Sequence, residues 1–116
     1  MRIEIELSVN ERYALMTILP TKDSYDTLMV VTALKERLSV TEDEKTLIGW
    51  KEHPNGSATW NDANEGAKSI IFVEAEVNLF KKQFEILDKE GALHINLLGL
   101  YKNFVLEKDV KVLPNV

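Results

Sequence analysis

The 116-residue sequence contains no cysteine, only three prolines and only two histidines. Without cysteine there are no disulfides, thiolate nucleophiles or cysteine-built zinc sites, which fits a reducing compartment. No apolar run approaches the length needed to cross a bilayer. The first such run is broken by Arg2, Glu4 and Glu6, so no secretory signal is expected and the cytoplasm is the default location. Positive charge is also scarce: 14 Lys and Arg face 19 Asp and Glu, for a net charge of -5. That balance argues against membrane binding and against broad capture of a nucleic-acid backbone. The chain has no GxGxxG, Walker, GxSxG or HExxH pattern, so no catalytic residue, cofactor or metal is assigned and a non-enzymatic protein is expected. A composition 45% hydrophobic and 28% charged is that of a single globular domain spanning residues 1–116.

The strongest pattern lies at Glu74 to Glu90. Val77, Phe80, Phe84 and Leu87 recur at spacings of three and four, which predicts an amphipathic helix ending at Gly91. Leu79 and Ile86 widen its stripe and offer a possible homodimer surface. Burying Phe80 and Phe84 should stabilise the domain by roughly 2–3 kcal/mol each. Ile3, Ile5 and Leu7 alternate with polar residues as a half-buried strand, with Ser69 to Val73 its expected partner. Asn10 is a candidate cap for a short helix with Leu15, Ile18 and Leu19 on its apolar side, closed by Pro20. A second helix is predicted over Tyr25 to Leu38, capped by Asp23 or Ser24. Thr41 and Glu44 form a capping box for a short third helix anchored by Leu47 and Ile48 before Gly49. Pro54-Asn55-Gly56 marks a hairpin between Trp50 and Trp60, and Asn64-Glu65-Gly66 marks a further turn. Asn96 is a candidate cap for a last helix carrying Leu97, Leu98, Tyr101, Phe104 and Val105. In that helix Gly99 costs about 1 kcal/mol unless it admits another backbone. Residues 109–116 are expected as an edge strand or a frayed tail. The class is therefore α+β: a small antiparallel sheet of the first strand, the hairpin and strand 69–73, packed against four to five helices.

His94, between Leu93 and Ile95, reads best as a hydrogen-bonded structural residue. The order of a helix over 25–38, a helix from Glu42 and a hairpin also imitates a winged helix-turn-helix. The second of those helices, however, begins Glu42-Asp43-Glu44, the wrong sign for phosphate. DNA binding or transcriptional regulation is accordingly the alternative, with nucleic acid disfavoured as a partner. The hairpin is the surface to watch. Trp50 and Trp60 read first as packing residues. If either is exposed it becomes an interface anchor, joined by His53, Asn55 and Asn61 as candidate protein-binding residues.

The segments VNERYALMTILP and YDTLMVVTALKERLSVTEDE, with Trp60-Asn61, Ser69 to Val73 and Leu100-Tyr101-Lys102-Asn103-Phe104, resemble small uncharacterised proteins carried by bacteriophages and prophages. The resemblance implies an accessory protein made in a bacterial host's cytoplasm, with a host factor as a possible partner. It implies no activity and no site residue.

Overall fold

The architecture comes from a computed structural model, which describes residues 2–61 and 67–114. Strand β1 (Arg2–Leu7) sits in the middle of a three-stranded antiparallel sheet, between β4 (Lys68–Phe72) and β5 (Lys111–Leu113). The register sets Ile3 opposite Phe72 and Ile5 opposite Ile70, so the apolar side chains of both strands share one face. That face meets α4 (Glu74–Lys89), whose Val77, Leu79, Phe80 and Phe84 are buried. Behind it lies α5 (Leu98–Phe104), which contributes Leu100 and Phe104. Phe80 and Phe104 are 4.8 Å apart between centroids, and Phe72 stands edge-on to Phe80 at 5.8 Å. Such tilted and edge-to-face contacts contribute about 0.5–1.5 kcal/mol each beyond burial.

The remaining helices close the core and carry the hairpin. Helix α1 (Val9–Thr17) begins two residues earlier than a cap at Asn10 would allow. Ser8 is the cap: its hydroxyl accepts from the Glu11 amide, and the Glu11 carboxylate accepts from the Ser8 amide. The S-x-x-E box overrides the Asn10 cap because it satisfies two orphan donors together. Helix α2 (Tyr25–Leu38) has the expected bounds, is capped by Ser24, and buries Val31, Leu34 and Leu38. Helix α3 (Glu42–Ile48) carries the Thr41–Glu44 box and stops at Gly49, whose φ of 68° is the left-handed cap that glycine supplies without strain.

The α+β class holds, with a different sheet membership. The hairpin, β2 (Lys51–Glu52) and β3 (Ala58–Thr59), forms its own two-stranded sheet, and the tail strand β5 takes the third place beside β1. Leu47 on α3, Leu98 on α5 and Ile86 on α4 were expected to pack inward but are 66%, 45% and 39% exposed. In α3 and α5 the helices are only two turns long, so one narrow face meets the core and neighbouring positions rotate into solvent. Leu100 takes the inward place in α5 and is 1% exposed. Val73 ends outside β4 as the residue that caps α4, its amide donating to the buried Glu76 carboxylate at 2.9 Å. The turn expected at Asn64 to Gly66 lies outside the described residues.

Candidate protein-binding surface

The hairpin is fastened at both ends to α3. The Trp50 amide donates to the Lys45 carbonyl at 2.9 Å, and the Asn61 amide donates to the Ile48 carbonyl at 2.8 Å. Between these ties Trp50 and Trp60 stack with centroids 5.2 Å apart and planes 9° from parallel. Tyr13 from α1 joins both rings, at 5.7 Å from each. These three half-buried aromatics rest on a second, smaller core of Val9, Val40 and Ile48. The Lys45 ammonium lies 5.4 Å from the Trp50 ring centre, a cation–π contact at partly exposed geometry. Trp50 Nε1 donates to Glu52 at 3.3 Å. The tryptophans are thus the cross-strand packing pair that the sequence suggested first. Their partner on α1 was not legible, since nothing local marks Tyr13.

Beyond the stacked rings the strands run into an exposed tip. Asn55 Oδ1 accepts from both the amide and the hydroxyl of Ser57, at 3.1 and 2.7 Å, an Asx-type turn. Gly56 takes a φ of 86° there, which explains the glycine after Asn55. His53 shares a 3.0 Å hydrogen bond with the Thr59 hydroxyl across the loop. His53, Asn55 and Asn61 are all exposed, and the fold brings all five candidates, the two tryptophans included, onto one projecting element.

Tyr13 lines two concavities, of which the smaller is bounded by the hairpin. One, of about 440 Å³, is bounded by Trp50, Trp60, His53 and Ser57. The other, of about 770 Å³, lies between α1 and the short 3-10 turn Ile95–Leu97, and is bounded by Ala14, Thr17, His94 and Asn96. His94 caps that turn, its Nδ1 accepting from the Asn96 amide at 3.2 Å; it is the structural histidine expected, though exposed. Burial raises the Tyr13 pKa above its ordinary value despite the opposing pull of Lys45, so the phenol stays a proton donor throughout the neutral range. Ile95, beside His94, is 75% exposed.

An ion pair between a buried arginine and a partly exposed glutamate holds the platform in place. Arg12, 0% exposed, reaches from α1 to Glu44 on α3 with two parallel contacts, Nη1 to Oε1 at 3.2 Å and Nη2 to Oε2 at 2.5 Å. Glu44 Oε1 also accepts from the Thr41 amide at 3.1 Å. One carboxylate therefore caps α3 and locks it to α1. The cap is legible in the sequence and the lock is not, because its two halves are separated by the whole of α2.

Among the described residues no group of three or more His, Asp or Glu side chains is placed to hold a metal ion, and no helix is long and apolar enough to cross a membrane. No protein-family model matches the chain, and no curated protein or solved structure matches it either.

Proposed function

We propose that this chain is a non-enzymatic interaction module, a phage-type accessory protein acting in the bacterial cytoplasm on a host protein, which it binds through the hairpin and the two concavities that Tyr13 lines. The carrying observation is the Tyr13–Trp50–Trp60 stack, which fastens the hairpin's exposed loop beside the smaller hollow and to the helix that lines the larger one. Rigid aromatic elements with adaptable Asn and Ser groups around them bind at low entropic cost. A photo-crosslinking residue in place of His53 should join one host protein reproducibly, while the same residue in place of the exposed Lys108 should not. No adduct across growth and infection states, or the same adducts from both positions, would overturn the proposal.

The chain order of α2, α3 and hairpin favours one other reading, a winged-helix-like regulator that binds DNA. Against it stand the three acids opening α3 and the pairing of Glu44 with Arg12. Duplex binding measured at two salt concentrations separates the two: a complex weakened by salt supports the DNA reading, and its absence removes it.

A further inference from the structure

Away from the hairpin, α2 and α4 enclose a shallow groove of about 300 Å³. Its floor is apolar, made by Val30, Ala75 and Leu79, and its walls carry Asp26 on α2 and Lys82 on α4. Both charged residues are exposed, and neither forms an ion pair or side-chain hydrogen bond within the described residues. Beside the groove α2 presents Tyr25 and Met29, one turn apart, at 76% and 53% exposure. Ile86, one turn beyond Lys82, extends the apolar stripe of α4.

We propose that this face binds a second copy of the chain across a two-fold axis, with Tyr25 and Met29 of each protomer against the α2–α4 groove of the other. The choice of occupant follows from charge. The chain carries -5 overall, so two copies repel on most approaches, yet this groove holds one charge of each sign and is locally neutral. An isologous contact presents the same patch from both sides, so a patch with one acid and one base on opposite walls is its own complement. Rotation about the axis sets each Asp26 toward the other protomer's Lys82, giving two pairs from one arrangement. A partner of different sequence would need to supply both signs independently.

Symmetry also supplies the test. Sedimentation velocity of the full chain, from about 1 μM to about 1 mM, should show a monomer–dimer equilibrium. D26K and K82D, each of which sets two like charges face to face, should each raise the dissociation constant roughly tenfold. The double variant D26K/K82D restores both pairs in reversed polarity and should return to within about threefold of the wild type. Far-ultraviolet circular dichroism of each variant confirms that these exposed positions leave the fold intact. The proposal is overturned by a monomer at every concentration, by a dimer indifferent to the single reversals, or by a double variant that fails to recover. Association with a different protein that M29K abolishes, in a chain that does not self-associate, overturns it equally.

Discussion

Arg12 shows how one side chain can join two elements. A guanidinium with no exposed surface must be paired, and its Nε has no hydrogen-bond partner among the described residues, so Glu44 carries nearly all of its compensation. Removing the acid should therefore harm more than removing the base. E44A leaves a buried cation and is expected to cost about 3 kcal/mol in urea unfolding. R12M, which replaces the charge by an apolar chain of similar reach, should cost less than half as much. The hydrogen bonds from Arg12 hold the Glu44 pKa at about 2, down from 4.5. The unfolded chain then takes up this proton before the folded one does, so the stabilisation is complete above about pH 5 and is lost as pH falls toward about 2. The acid limb of stability against pH should be shallower in E44Q. An unchanged limb would mean that the pair contributes nothing. Little of this was legible in the sequence, where Arg12 is one polar residue in an amphipathic helix. Nor does Glu76 advertise that its buried carboxylate serves both the Val73 amide and Arg37.

At the scale of elements, local chemistry predicted most of what formed. Helix α2 has the bounds that its Ser24 cap and apolar spacing required, and α4 runs to the stop before Gly91. These succeeded because their signals are internal: periodicity, a capping side chain and a terminator lie within one stretch. Predictions failed where two local signals competed, as Ser8 and Asn10 did, or where a short helix left the choice of inward face to its neighbours, as with Leu98 and Leu100. Gly99 allows a direct check on propensity. A methyl group added there meets open space, with no atom within 4 Å, so the glycine admits no close backbone. G99A is expected to stabilise the domain by about 0.5–1 kcal/mol, read as a raised urea midpoint with an unchanged slope. A loss of stability would show that α5 needs the glycine for a reason beyond helix propensity.

For the whole molecule the sheet order β4-β1-β5 was only half visible, since pairing across most of the chain has no local mark. The β1–β4 pairing followed from two apolar runs in need of cover. The place of β5 rested on its pairing with the other edge of β1, helped by the Arg2 guanidinium donating to the Pro114 carbonyl at 2.8 Å. The exposed edge of β4 is guarded from an unexpected quarter. Arg37, at the end of α2, donates to the outward carbonyl of Ile71, pairs with Glu76 and lies 5.6 Å from the Phe72 ring centre. A cation bound to an edge carbonyl blocks the approach of another strand. R37A should therefore increase amyloid-dye-positive aggregation at fixed stability, measured after matching the folded fraction with denaturant. Aggregation that tracks the folded fraction alone would remove the guarding role.

Because β1 is the middle strand and precedes both of its neighbours, synthesis itself imposes an order on folding. The ribosome delivers Ile3, Ile5 and Leu7 long before Phe72 exists to meet them, so the nascent strand must wait while α1, α2 and α3 emerge. Contacts of such sequence separation close late and slowly. During that interval the charges interleaved with the strand, Glu4 and Glu6, act as gatekeepers that keep an unpartnered apolar segment from finding another chain.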